Sequence, residues 1–345
     1  MSRKKILVIY TGGTIGMVLN KKDNAWTPCA FRSIYKELPM LNLLDAEITF
    51  KTMKPLIDSS NINPDFWIRL ATLIHKNYQD YNGFVVLHGT DTMSYTASAL
   101  SFLLENLDKP VILTGSQLPL GVMRTDGREN ILNSIEIAAD SINGKPRVQE
   151  VCIYFENALY RGNRTYKDNA EDFNAFMSAN YPKLAEVGVN IKYNDKYIHH
   201  ETEKKELNLY KKMDKNIAVI KLYPGINKEL LRTILLKSNI KAAIMETYGS
   251  GNAPSDPEFL EILESACQKG IHIVSITQCK GGGTVELGRY ETSVHLKDIG
   301  VISGYDITTE AAVCKMMFLL GSNFSHEEVR KLMSVSLRGE MTVNE

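Results

Sequence analysis

Short apolar runs alternate with longer stretches of helical period along most of the chain, and this alternation limits the fold more than any other feature. "KILVIY" (5–10) has the length and β-branching of a buried strand. "NPDFWIRLATLIHKNY" sets Trp67, Leu70, Leu73 and Ile74 at helical spacing, with Asn63 as N-cap and Pro64 in the first turn. "GFVVLH" and "KPVILTG" are strands on either side of the helix "TMSYTASALSFLLENL", whose small residues suit close packing on a sheet. "RENILNSIEIAADSI" predicts a helix through Ile131, Ile135, Ala138 and Ile142, and "EVCIYFEN" predicts the next strand. The pattern returns in "IAVIKLY", "KAAIMETY" and "IHIVSIT". The helix "DPEFLEILESACQKG" separates the last two, and "TTEAAVCKMMFLLG" and "SHEEVRKLMSV", the latter with Ser325 as N-cap, close the chain. Such alternation predicts an α/β fold with mainly parallel sheets covered on both faces.

A chain of 345 residues exceeds the usual size of one domain. The stretch 192–216 is rich in mixed charge and poor in sustained period, so it reads as a connection. The expected organisation is residues 1–191, an interdomain linker at 192–216, and residues 217–345.

Lys+Arg and Asp+Glu both number 40, so the net charge is zero. That argues against nucleic acid or an anionic membrane as partner. No segment approaches the ~20 apolar residues of a membrane span, and the apolar run at 6–10 is shorter than a signal-peptide core. The five cysteines are widely spaced with no C-x-x-C, which reads as reduced thiols in a cytoplasmic protein. H-E-x-x-H, G-x-S-x-G, G-x-x-x-x-G-K and G-x-G-x-x-G are all missing, and the cysteine spacing rules out the usual zinc ribbons.

Parallel sheets bind ligands at the carboxyl ends of their strands. In the first half those exits read "YTGGT" (10–14), "LHGTD" (87–91) and "LTGSQ" (113–117). On neighbouring strands they would share one rim holding Thr11, Thr14, Thr90, Asp91 and Ser116. Each loop alone reads as a tight turn and a helix cap. Backbone N–H groups at helix starts could instead cradle a phosphate, although the P-loop lysine is missing and Asp91 would repel an anion. A third reading is hydrolysis by a threonine, whose hydroxyl needs a base and an oxyanion hole. A desolvated lysine would serve as base, and Asp91 beside it would oppose that shift.

"TGGTIG" followed by "HGTDTM" resembles the two signatures of bacterial-type L-asparaginases. The likeness continues through "PLIDSSNINPDFW", "VILTGSQLPL", "LYRGNRTYK", "YGSGNAP" and "SITQC". It covers nearly the whole chain and is strongest toward the cytoplasmic type I members. The resemblance implies two Rossmann-like or flavodoxin-like α/β domains, the N-terminal one larger. It implies hydrolysis of L-asparagine to L-aspartate and ammonia without a cofactor, with glutamine as a weaker substrate. Matched by motif, Thr14 is the nucleophile that forms the acyl-enzyme. Thr90, Asp91 and Lys167 form a Thr–Lys–Asp arrangement. Asp58, Ser59 and Ser60 hold the substrate's α-carboxylate and α-ammonium, and Asp91 also pairs with the ammonium. Backbone N–H groups at Thr90 and near Ser116 hold the oxyanion. Members form dimers or dimers of dimers, and Asn252 matches a residue supplied across that interface. His88 reads as a structural hydrogen-bond partner rather than a base.

Two departures carry consequences. Trp26 falls where the family places a loop tyrosine, and an indole has no hydroxyl to offer Thr14. Some type I relatives have a second, regulatory asparagine pocket that uses an arginine and a threonine. Those positions here read Glu246 and Tyr166, and a carboxylate cannot form the arginine's bidentate pair with a substrate carboxylate. Two other readings remain at this stage. One is an amidase subunit of a tRNA-dependent amidotransferase, which carries an extra N-terminal domain. The other is a non-catalytic amino-acid-binding module.

Overall fold

A computed structural model describes residues 3–20, 25–28, 38–200, 205–289 and 291–343. Residues 18–20 and 25–28 are described by backbone alone, so the side chain of Trp26, and Cys29 altogether, lie outside the description. The chain divides into two compact units, Met1–Lys211 and Lys212–Glu345.

The first unit is built on an eight-stranded sheet. Its strands in chain order are β1 (Lys4–Tyr10), β2 (Ala46–Thr52), β3 (Gly83–Leu87), β4 (Val111–Thr114), β5 (Val151–Phe155), β6 (Ala158–Arg161), β7 (Ala185–Val187) and β8 (Ile191–Tyr193). The first five run parallel in the order β2-β1-β3-β4-β5. β3 and β4 are buried along their whole length, as strands covered on both faces must be. The helices α1 (Pro64–Lys76), α2 (Met93–Leu103) and α3 (Gly127–Ala139) follow β2, β3 and β4. Asn63 caps α1 by accepting from the Phe66 N–H, and Phe66, Trp67, Leu70, Ala71 and Ile74 form its buried stripe. Nearly every residue of α2 is buried, which explains its run of Ser, Thr and Ala.

The mainly parallel sheet is as expected, with an antiparallel extension at one edge, and one sequence expectation, the end of α3, is corrected. The sheet is mixed: β6, β7 and β8 extend it antiparallel beyond β5. No crossover helix joins β5 to β6. Glu156 and Asn157 have φ of 36° and 63°, and this two-residue left-handed turn folds the chain straight back. α3 also stops short of Ile142, which is 42% exposed. Asn143 and Gly144 take φ of 53° and 81°, so Ser141–Ile142 instead pairs with Lys145–Pro146 in a hairpin.

The second unit has a four-stranded, all-parallel sheet in the order β9-β10-β11-β12. These are Ile217–Lys221, Ala242–Thr247, His272–Thr277 and Ile302–Ser303. Among its helices, α4 (Pro257–Gln268) buries Phe259, Ile262, Leu263 and Ala266. α5 (Thr309–Gly321) is mostly buried, and α6 (His326–Met333) starts with a capping box between Ser325 and Glu328. The segment 192–216 contains Asn208–Leu209, which pairs antiparallel with Leu104–Glu105 in the first unit.

Candidate active site

The order β2-β1-β3-β4-β5 reverses between β1 and β3, and doubly wound sheets of this order bind ligands at that switch point. The loops leaving β1 and β3 are "TGGT" and "HGTD". They touch backbone to backbone: a Cβ placed on Gly13 would lie 2.6 Å from both the N and Cα of Gly89. Gly13 also has φ of 89°, so only glycine fits without strain. Ser59 also closes on Gly89, its Oγ 2.6 Å from where a Cβ on that glycine would lie. The Thr92 hydroxyl donates to the Ser59 carbonyl at 2.7 Å. The Ile57 N–H donates to the Thr11 carbonyl, and the His88 N–H to the Thr114 carbonyl. The exits of β1, β3 and β4 and the segment 57–60 therefore form one rim.

Within that rim the two threonines of "TGGT" part company. Thr11 is buried and its hydroxyl donates to the Leu87 carbonyl at 2.9 Å. Thr14 opens a short 3₁₀ turn, Thr14–Gly16, and is half-buried. Among the described residues no group is hydrogen-bonded to its hydroxyl.

Thr90, buried at the start of the second loop, accepts from Lys167 Nζ at 2.9 Å. The same Nζ lies 2.7 Å from Asp91 Oδ1. The lysine side chain is only 18% exposed, whereas Asp91 is 63% exposed and keeps its outer oxygen open to a ligand. Lys167 arrives from the far side of the sheet. β6 leads into the turn Gly162–Arg164, and Gly162 packs so close to α2 that a Cβ would lie 2.9 Å from the Ala97 methyl. The Arg161–Glu150 ion pair, buried on both sides at 2.6 Å, fixes the start of that turn.

Asp58 caps the turn Ser59–Asn61 and accepts from both the hydroxyl and the N–H of Ser60, at 2.7 and 2.9 Å. The Ser60 hydroxyl, then its N–H, hold the Asp58 carboxyl below the ordinary range. Ser59 is buried, while Asp58 and Ser60 face solvent. Ser116 is buried and its hydroxyl donates to the Leu118 carbonyl at 2.6 Å. Asn252 belongs to the second unit, where its backbone bridges Tyr248. Thr14, Asp58, Ser59, Ser60, Thr90, Asp91, Ser116 and Lys167 thus all lie in the first unit, and Asn252 does not. No cluster of three or more His, Cys, Asp or Glu suited to a metal occurs among the described residues. No helix of the described residues is long and apolar enough to cross a membrane.

One participant escaped the sequence reading. Gln117 follows Ser116, and its Oε1 lies 3.5 Å from the Thr90 hydroxyl. Its Nε2 donates to the carbonyls of Ala170 and Asp172, in the loop after Lys167. Asp126 holds the backbone of this exit by accepting the N–H groups of Gln117 and Leu118. The available signal was a long polar residue directly after a strand exit already marked by Gly and Ser.

Comparison with known proteins extends over the whole chain. The family "Asparaginase, N-terminal" matches residues 5–199, and "Glutaminase/Asparaginase C-terminal domain" matches residues 216–333. L-asparaginase 1 of Escherichia coli K12 is 43% identical over 99% of both chains. The 60 kDa lysophospholipase of Mus musculus is 37% identical, covering 99% of this chain and 63% of its own length. The crystal structure of L-asparaginase I from Vibrio cholerae superposes with a TM-score of 0.90 at 44% identity, covering 99% of this chain and all of that one.

Proposed function

This chain belongs to the type I L-asparaginase family, and from that premise we propose that it hydrolyses L-asparagine to L-aspartate and ammonia through an acyl-enzyme on Thr14. One observation carries the assignment of roles: the Thr90 hydroxyl is held by Lys167, itself paired with Asp91, at the switch point where Gly13 brings Thr14 against the same loop. Among the described residues Thr14 is left with an uncommitted hydroxyl and Thr90 with a proton path.

The substrate's α-ammonium pairs with the outer oxygen of Asp91 and with Asp58. Its α-carboxylate takes hydrogen bonds from the segment at Ser59 and Ser60. Thr14 Oγ1 attacks the side-chain amide carbon, and the negative charge that develops on the amide oxygen is met by the Thr90 N–H and by the loop at Ser116. The C–N bond breaks as the nitrogen takes the proton given up by the Thr14 hydroxyl and leaves as ammonia, and an aspartyl ester remains on Thr14. Water then attacks the ester carbon. Its proton passes by way of the Thr90 hydroxyl, which Lys167 and Asp91 hold in place, to the Thr14 oxygen as the ester C–O bond breaks. Thr14 recovers its proton as aspartate departs. Neither a cofactor nor a metal takes part.

Glutamine is a weaker substrate, since one methylene is worth only ~1–3 kcal/mol of discrimination. The chain assembles as a homo-oligomer, a dimer or dimer of dimers in which Asn252 completes a neighbouring site. The setting is cytoplasmic, in keeping with the type I likeness and the spread of cysteines. Nucleic acid and membrane are not partners, in keeping with the balanced charge. Glu246 donates nothing to a carboxylate: it already accepts from the Thr309 hydroxyl at 2.8 Å and pairs with Lys221 at 3.6 Å. A regulatory asparagine site that relied on an arginine there is therefore lost. Ammonia release measured across wide ranges of asparagine and glutamine tests the reading. It is expected to favour asparagine and to rise hyperbolically. No release from either amide would overturn the function, and a sigmoidal curve would overturn the loss of regulation.

A further inference from the structure

Under the "HGTD" loop lies a line of buried polar groups that the chemistry above does not use. Trp67 Nε1 on α1 lies 3.0 Å from Thr96 Oγ1 on α2. Thr96 Oγ1 lies 2.9 Å from His88 Nε2, and His88 Nδ1 lies 2.6 Å from the Gly89 carbonyl oxygen. His88 and Thr96 are fully buried and Trp67 is 5% exposed.

Every proton in this line has one possible place. A carbonyl only accepts, so Nδ1 carries the ring proton and donates to Gly89. Burial pushes the imidazole down to about 4, so the ring is neutral at physiological pH and Nε2 is a bare acceptor. An indole only donates, so Trp67 gives its hydrogen to Thr96, and the single Thr96 hydrogen goes to Nε2. The direction of the line is fixed from Trp67 to the Gly89 carbonyl.

That carbonyl belongs to the peptide whose nitrogen is Thr90's. In a trans peptide the C=O and N–H share a plane and point in opposite directions. Holding the Gly89 oxygen into the core therefore aims the Thr90 N–H the other way. Among the described residues that N–H has no acceptor. A hydrogen bond accepted by the carbonyl also polarises the peptide and strengthens its N–H as a donor.

We propose that Trp67, Thr96 and His88 form a positioning relay that aims and strengthens the Thr90 N–H as the donor to the oxyanion. The proposal rests on the reading of Thr90 given above and adds the residues that set its geometry. None of the three touches the substrate; each acts through the Gly89–Thr90 peptide. The relay supports the tetrahedral state more than the bound amide, because charge on the oxygen develops only on the way to that state.

The test compares wild type with Thr96→Val, Thr96→Ser and Trp67→Phe, following kcat and KM for asparagine and the His88 ring nitrogens by ¹⁵N NMR. Removing an oxyanion donor outright costs roughly 10²–10³ in kcat, so misaiming one is expected to cost about tenfold to a hundredfold. Thr96→Val should show that loss in kcat with KM little changed, and with the His88 Nε2 resonance shifted by loss of its donor while Nδ1 keeps its proton. Thr96→Ser should recover most of the rate and the Nε2 resonance position. Trp67→Phe, which keeps the Thr96–His88 bond, should give a smaller loss in kcat alone, and it stands in for Thr96→Val if that variant does not fold. A wild-type kcat in a folded Thr96→Val enzyme would overturn the relay. A parallel loss of kcat and KM that Thr96→Ser fails to rescue would do the same. A wild-type protein inactive on asparagine would instead strike the underlying function, before any variant is compared.

Discussion

Asp58 accepts two hydrogen bonds from a single neighbour, and that local arrangement has a pH signature. The Ser60 hydroxyl and N–H hold the carboxyl below its ordinary range, so Asp58 stays charged, and able to meet an α-ammonium, to lower pH than a free aspartate. In Ser60→Ala the hydroxyl's share is lost and the Asp58 pKa rises. The acid limb of kcat/KM for asparagine should therefore move to higher pH. A pH–rate profile checks this, and an unmoved acid limb would contradict the role given to Asp58. At this scale the sequence was informative where chemistry follows a strand directly. Glycine and hydroxyl residues at the ends of apolar runs marked Thr14, Thr90 and Ser116, and the family signatures separated Thr14 from Thr11. Gln117, Thr96 and Trp67 were not legible in the same way. Trp67 and Thr96 meet only because α1 and α2 pack together, and apolar periodicity predicts that such positions are buried without saying which polar atoms pair there.

The elements that matter most are two loops in backbone contact. Gly13 and Gly89 face each other with no room for a methyl group, and Gly13 takes a φ of 89° that other residues adopt only under strain. Gly13→Ala should force the β1 and β3 exits apart and separate Thr14 from the Thr90 loop. Misplacement by about 1 Å costs on the order of 10²-fold in rate, so kcat/KM should fall at least that far while the circular dichroism spectrum stays that of the folded enzyme. Activity within a few-fold of wild type would mean that this contact does not align the site. Helices were readable here from a sustained period and most parallel strands from continuous apolar runs, whereas β2, with alternating burial, and β12, with two residues, were not recognised. The antiparallel extension β6–β8 was not readable either, since its last two strands have three residues each, too short for their apolar–charged–apolar alternation to stand out. The end of α3 was misread for a different reason: Ile142 continues the helical spacing, but the turn preference of Asn143–Gly144 prevails over it.

The whole molecule consists of two α/β units that divide between Lys211 and Lys212. The position of the proposed site follows from topology: the reversal of strand order between β1 and β3 selects one crevice, and the residues to which we assign nucleophile and proton-transfer roles stand at it. The switch point could not be read before the strand order was known, because periodicity identifies strands and not their neighbours. The central claim is that Thr14 carries the acyl group while Thr90, Lys167 and Asp91 serve its removal. Rapid-quench mass spectrometry of the enzyme mixed with L-asparagine tests it most directly. A covalent aspartyl adduct is predicted on the peptide containing Thr14 in the wild type. The adduct should accumulate in Lys167→Met, where water activation is impaired, and be absent from Thr14→Ala, whose ammonia release should fall by at least about 10³-fold. An adduct on the peptide containing Thr90, or ammonia released by folded Thr14→Ala at the wild-type rate, would contradict the account.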